Sequence, residues 1–190
     1  MRLLAALLLC ATALPAFATD ATDPAAKARA YATTTVREWT ANPVIVAAIL
    51  EQNTRHAALT QADINALDAA WMGELGKAVQ PTVDSIVKTA PSDLLRKHVE
   101  DAAGMVTEIF VMDALGLNVA SSGITSDFWQ GDEAKFTETF PLGAEAVHVS
   151  DVEFDESAQT YQIQVSFSVL NPADGTVIGA VTVGLNAEQF

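Results

Sequence analysis

The stretch Tyr161-Gln-Ile-Gln-Val-Ser-Phe-Ser-Val-Leu170 decides the fold. Tyr161, Ile163, Val165, Phe167 and Val169 alternate with Gln162, Gln164, Ser166 and Ser168. Side chains of a strand point alternately to opposite faces, so this period of two predicts a β-strand with one large apolar face and one small polar face. Downstream, Asn171-Pro-Ala-Asp-Gly175 has Pro172 and Gly175 where a hairpin turn accepts them. The return segment Thr176–Leu185 keeps the phase, with Val177, Gly179, Val181, Val183 and Leu185 on one face and Ile178, Ala180, Thr182 and Gly184 on the other. The apolar face needs a cover. The small polar face is either open to solvent, as in many antiparallel sheets, or the floor of a pocket.

Upstream, the same β character extends back to residue 105. Met105–Met112 is apolar and β-favouring, Asp113-Ala-Leu-Gly116 reads as a turn, and Leu117–Ser121 returns as a second strand. Ala144–Asp151 reads as a third strand and Phe154-Asp-Glu-Ser157 as the turn into the fourth. Between the second and third strands lies an insert, Thr125–Phe140, containing the acidic-aromatic run Ser126-Asp-Phe-Trp-Gln-Gly-Asp-Glu133 and a short helix whose Phe136 and Phe140 are four apart.

Before Gly104 the period is helical. Pro24 suits a first turn, and Ala28, Ala32, Thr35 and Trp39 share a helix face. Asn42-Pro43 is an N-cap followed by an N1 proline. Thr60-Gln-Ala-Asp63 is a capping box with Asp63 in the acidic place, followed by the stripe Ile64, Leu67, Trp71 and Leu75. Pro81 breaks or restarts this run, and Ser92 is the expected cap of the next helix. The fold expected is therefore α+β: N-terminal helices over residues 24–103 packed on one face of an antiparallel sheet over 105–190, with the insert across the other face. A helical domain joined to a separate β domain is the alternative.

Arg2, the apolar run to Leu14 and Ala16-Phe17-Ala18 have the layout of a signal peptide, so residues 1–18 are expected to be removed and Cys10 with them. The run is shorter than the ~20 residues that a membrane span needs. The expected location is periplasmic or secreted. The mature chain has no cysteine, so it folds without disulfides and relies on its core. Lys and Arg number 10 against 24 Asp and Glu, a net charge of −14. Nucleic acid and anionic membrane surfaces are disfavoured partners, because like charges repel, and no later segment is apolar enough for membrane insertion.

Three stretches resemble the extracytoplasmic PAS-like sensors known as single Cache, or PDC-type, domains. They are Phe110-Val-Met-Asp-Ala-Leu-Gly-Leu-Asn-Val-Ala-Ser-Ser122, Thr125-Ser-Asp-Phe-Trp-Gln-Gly-Asp-Glu-Ala-Lys-Phe136 and Pro172-Ala-Asp-Gly-Thr-Val-Ile-Gly-Ala-Val-Thr-Val-Gly184. The resemblance implies helices backing a sheet, an insert over its other face and a small ligand bound between. Arg37-Glu-Trp39 is similar to the Arg-x-Trp of amino-acid-binding members but lies on the first helix, and no role is carried over from it. The given sequence has no kinase, cyclase or chemotaxis module. The expected function is thus an exported soluble sensor that presents its bound state to a membrane receptor or kinase. The alternative is an interaction or structural subunit of an extracytoplasmic assembly with no small-molecule ligand.

The expected ligand site has Asp127, Trp129 and Gln130 above and Ser166, Ser168 and Thr182 below. Trp129 offers an aromatic face to a cationic or ring ligand, Asp127 a carboxylate for an ammonium group, and Gln130 a donor and an acceptor. The ligand classes open at this point include amines and amino-acid-like molecules. Local roles compete: Ser126 and Asp127 suit a turn cap, and Asp132 and Glu133 suit a helix N-terminus. Asp127, Asp132 and Glu133 are hard oxygen ligands, but their spacing is not that of an EF-hand. His56, His98 and His148 are isolated, so no metal and no cofactor is expected. With no G-x-S-x-G, no cysteine after the leader and no glycine-rich phosphate loop, the chain reads as no enzyme.

Overall fold

The computed structural model describes residues 23–155 and 159–190. The expected leader, and part of the expected turn Phe154–Ser157, lie outside them. Asp23 caps α1 (Pro24–Tyr31), accepting from the Ala25 N–H at 3.0 Å. The helix continues through a π turn, Ala32–Val36, into α2 (Arg37–Thr40). Three consecutive threonines sit in that turn, and the Thr33 and Thr34 hydroxyls donate to the carbonyls of Arg29 and Ala30 at 2.8 Å, a competition with the backbone that loosens helical pitch. The buried face is consequently Ala28, Ala32, Val36 and Thr40, and not the Thr35 expected from a uniform 3.6-residue period.

Asn42 caps α3 (Pro43–His56) through its bond with the Val44 N–H. The Thr60–Asp63 capping box opens α4 (Gln61–Glu74), both reciprocal bonds being present. Next come α5 (Pro81–Val87) and α6 (Ala90–Asp101). The cap of α6 is Thr89, three residues before the expected Ser92, and it accepts from the Ser92 N–H. Ser92 is buried and its hydroxyl donates to the Ile86 carbonyl.

The sheet comprises β1 (Val106–Met112), β2 (Asn118–Ser121), β3 (Val147–Asp155), β4 (Thr160–Leu170) and β5 (Val177–Asn186). β3 starts three residues later and runs further than the sequence suggests. The order is β2-β1-β5-β4-β3, antiparallel throughout. Ile163, Val165, Phe167 and Val169 meet Val181, Val183 and Leu185, then Ala28, Val36, Ile45, Ile49 and Leu95 of the helices, in one apolar cluster. Ile178 joins this cluster and not Ala180, beside the register shift at Val169–Leu170. Arg37 stacks its guanidinium over the Phe167 ring at 4.7 Å, and Trp39 stacks on His98 at 4.4 Å.

A second cluster, with Ile64, Trp71, Val83, Ile86, Leu117 and Phe128, joins α4 and α5 to the β1–β2 turn. Asp113 of that turn is fully buried. Its Oδ1 accepts from the Leu115 and Leu117 N–H groups at 2.8 and 3.0 Å. Its Oδ2 accepts from Gln52 Nε2 at 3.0 Å and lies 2.7 Å from His56 Nδ1, which ties α3 to the turn. Four partners satisfy a buried carboxylate. No helix among the described residues is long and apolar enough to cross a membrane.

Candidate functional site

The insert carries α7 (Ala134–Thr137) and a 3-10 turn, Phe140–Leu142. It lies on the sheet face opposite the helices: Phe136 and Phe140, stacked at 5.2 Å, pack with Phe110, Met112 and Ala180. Ser166 and Thr182 are fully buried here and bonded to one another at 2.9 Å. Ser168 donates to the Gly143 carbonyl at 2.8 Å. The small side chains of this face make room for the aromatic rings of the insert itself. Ser166 and Thr182 are therefore not on the wall of the cavity that lies between insert and sheet, and Ser168 borders a different cavity, beside Arg37, Thr40 and Pro172.

Asp68 of α4 holds the first part of the insert, one carboxylate oxygen accepting from the N–H groups of Phe128 and Trp129 at 2.9 and 3.0 Å. Trp129 then turns towards the second cluster, its indole N–H donating to the Leu115 carbonyl at 2.9 Å. The Trp129 ring, expected to offer its face to a ligand, thus makes a packing contact, because its one polar atom finds a backbone acceptor there. Trp71 does the same, donating to the Thr125 carbonyl at 2.9 Å while stacking on Phe128 at 5.3 Å. The Asp127 carboxylate accepts from the neighbouring Ser126 hydroxyl at 2.7 Å and also lies off the cavity wall.

Between the insert and the β1–β5–β4 part of the sheet is a cavity of about 260 Å³. Of the six expected site residues, Gln130 lines it, together with Glu108, Phe110, Lys135, Asp155 and Gln164. Glu108, Phe110 and Met112 share one face of β1 by strand alternation, and Gln162 and Gln164 share the matching face of β4. Glu108 Oε1 accepts from Gln164 Nε2 at 3.0 Å and from Gln162 Nε2 at 3.4 Å. That Gln162 nitrogen also donates to Asp155 Oδ2 at 2.6 Å. Burial holds the Glu108 carboxyl above the usual carboxylate range, and the nearby Asp155 charge adds to the effect, against the amide bonds and Lys135. Lys135 donates to Gln130 Oε1 at 3.1 Å, pairs with Glu133 at 3.0 Å and lies 5.5 Å from the Phe110 ring centre. Gln130 Nε2 donates to the Asp127 carbonyl at 2.9 Å.

Sequence reasoning missed Glu108, Lys135, Asp155 and Gln164. One signal was present: Glu108 is a lone carboxylate inside Val106-Thr-Glu-Ile-Phe-Val-Met112, and a charge in an otherwise apolar strand is costly to bury without purpose.

Strand order and helix placement define the class: an α+β domain with a PAS-like antiparallel sheet, helices on one face and an insert on the other. At the level of architecture this is what the resemblance to single Cache, or PDC-type, sensors implies. No family model matches the chain, and no curated protein matches it. Among solved structures, it is similar to the ligand-binding domain of the Campylobacter jejuni chemoreceptor Tlp3 in complex with 4-methylisoleucine. The identity is 11% and the TM-score 0.40, over 84% of this chain and 64% of that one. It is similar also to the sensor domain of the V. cholerae histidine kinase DctB, at 12% identity and a TM-score of 0.37, over 87% of this chain and 55% of that one. The chain therefore spans less than two thirds of the length of these solved chains.

Proposed function

We propose that this chain is an exported sensory binding domain, periplasmic or secreted, that takes a small ligand between the sheet and its insert and presents the bound state to a membrane signalling partner. One observation carries this: the cavity of about 260 Å³ is walled by charged and amide side chains in a region otherwise closed by aromatic packing. Polar groups are costly to withdraw from water unless they are partnered, and a wall of them around an open space suits a polar occupant. The volume is below the ~300–1,000 Å³ that holds a drug-sized molecule, so the occupant is small. No catalytic step is assigned to the site.

A thermal-shift panel of amines, amino acids, organic acids and purines tests the proposal, because a ligand of the native state raises the melting temperature in a concentration-dependent way. At least one compound should do so, and Ile124→Trp, which adds bulk at a half-exposed position of the cavity wall, should abolish the shift without lowering the unliganded melting temperature by more than a few degrees. A flat response across the panel, with nothing found by mass spectrometry of the native protein, would leave the structural-subunit reading standing. That second reading has its own support in the β3–β4 hairpin. There Val152, Phe154 and Tyr161 are each about half exposed and flanked by Asp151 and Glu153, a surface matched to an apolar partner patch with a basic rim.

A further inference from the structure

We infer that the chain has a second binding site, separate from the cavity under the insert, and that it takes a small hydroxy acid. Arg55 would hold the carboxylate, His56 would accept from the hydroxyl, and Phe128 would back an apolar body.

The site is a cavity of about 350 Å³ where α3, α4, α5 and the first part of the insert meet. The volume falls within the ~300–1,000 Å³ typical of ligand pockets. No residue is shared with the first cavity. Leu67 of α4, Ile86 of α5 and Phe128 of the insert form an apolar wall continuous with the second apolar cluster. Arg55 and His56 come from the end of α3. The chain has 24 Asp and Glu, yet none lines this cavity. The acids bonded to its surroundings are spent on donors of the protein. Glu74 accepts from the Thr82 hydroxyl and from the N–H groups of Thr82 and Val83. Asp68 accepts from the insert backbone, and Asp113 has its four partners.

The hydrogen-bonding capacity left on the wall has a definite pattern. Leu115, Leu117 and Gln52 all donate to Asp113, which assigns the His56 proton to Nδ1, 2.7 Å from Asp113 Oδ2. In the neutral ring Nε2 is then an acceptor, and it has no partner among the described residues. The Thr82 and Ser85 hydroxyls give their protons to Glu74 and to the Thr82 carbonyl, both at 2.7 Å, so they too present lone pairs to the cavity. Arg55 supplies the charged donors. Glu51 takes Nη1 at 2.7 Å, Gln52 takes Nη2 only at 3.5 Å, and Nε has no partner among the described residues. The Arg55–Glu51 pair is more than half exposed on both sides, and such pairs contribute little. The guanidinium can therefore turn to a second anion at slight cost. A ligand complementary to this wall brings one negative charge, one hydroxyl proton and an apolar remainder. An amine would place a second positive charge beside Arg55 with no acid on the wall to receive it. A plain carboxylate would leave Nε2 unanswered.

Isothermal titration of the purified protein at pH 8 tests this, with mandelate and 2-hydroxy-4-methylpentanoate as probes. Three relatives of each serve as comparisons: the acid without the hydroxyl, the amide without the charge, and the amino acid with an ammonium group in the hydroxyl's place. At least one hydroxy acid should bind, about tenfold or more tighter than its relatives, because a buried polar group left without its partner is costly. Arg55→Met should weaken that binding about tenfold or more, the loss expected of a charged hydrogen bond, with a melting temperature within a few degrees of wild type. Ser85→Phe, which adds bulk at an exposed position of the wall, should abolish binding; if that variant folds poorly, Arg55→Met decides. Ile124→Trp, in the first cavity, should leave the affinity unchanged. Silence from both hydroxy acids overturns the inference, as does a relative that binds equally well or an affinity indifferent to Arg55→Met. Loss of binding in Ile124→Trp overturns it too, and moves the ligand to the first cavity in support of the sensory reading.

Discussion

Glu108 sits on β1 with a carboxyl whose affinity for protons burial has raised. The folded chain then binds that proton more tightly than the unfolded chain does. The stabilising contribution is complete below the unfolded value near ~4.3 and is lost as pH rises through the folded one. Glu108→Gln, which is never charged, should accordingly melt higher than the wild type at pH 8 and level with it at pH 4. Melting curves at both values check this, and a variant less stable at pH 8 would contradict it. A second residue-scale constraint lies where the β1–β2 turn meets the insert. Gly116 has φ +81°, and a Cβ there would stand 2.5 Å from Gly131 Cα, while a Cβ on Gly131 would strike the Trp129 indole nitrogen. Gly116→Ala combines left-handed strain with overpacking and should cost about 2–5 kcal/mol in urea unfolding. A cost under about 1 kcal/mol would mean that the two segments part easily.

At the scale of elements, the π turn explains how a long first helix keeps one face on the sheet. Ala28 and Thr40 are both buried, and a uniform α-helix would rotate the second about 120° away from the first over that separation. The extra residue in Ala32–Val36 absorbs the rotation. Deleting Thr34, which is exposed, should give a regular helix with the same buried face. Its melting temperature should stay within a few degrees of wild type and its sheet-side packing should be unchanged in amide exchange; deletion of Leu50 from α3 should be far more damaging. The sequence could not disclose this, because periodicity assumes one pitch and so selected Thr35 over Val36. Strand alternation from Tyr161 to Val169, the Asn42 cap and the Thr60–Asp63 box are local signals, and they reappear where expected. The site was less legible. Gln130 could be found from the composition of the insert, but Trp129 and Asp127 turn elsewhere because Asp68 and Leu115, distant in sequence, offer their neighbourhood hydrogen-bond partners. Glu108 meets Asp155 and Gln164 only through the pairing of four strands, β1, β5, β4 and β3, which no local pattern encodes.

For the molecule as a whole, the strand order has a consequence for the path by which the chain assembles. β1 with β2, and β3 with β4, are neighbours in sequence and close as local hairpins. β5 follows the other four described strands in the chain, closes on β4 through the Asn171–Gly175 turn, and is the central strand of the sheet, with Val106 facing Leu185 across its pairing with β1. The β1–β2 hairpin joins the β3–β4–β5 run only when β5 pairs with β1, and closing so long a loop is an entropic cost met before most native contacts repay it. Val183→Ala, on the apolar face of β5, should slow refolding by most of its equilibrium effect, whereas Ala28→Gly on α1 should act mainly on unfolding; stopped-flow chevrons distinguish the two, and a Val183 effect confined to unfolding would refute this order of events. Before β5 docks on β1, these two strands each expose an unpaired edge, the geometry by which chains join other chains. A net charge of −14 then matters most for the molecule that is not yet folded: mutual repulsion keeps such half-sheets apart long enough to close, and the yield of refolding should drop when either protein concentration or salt is raised.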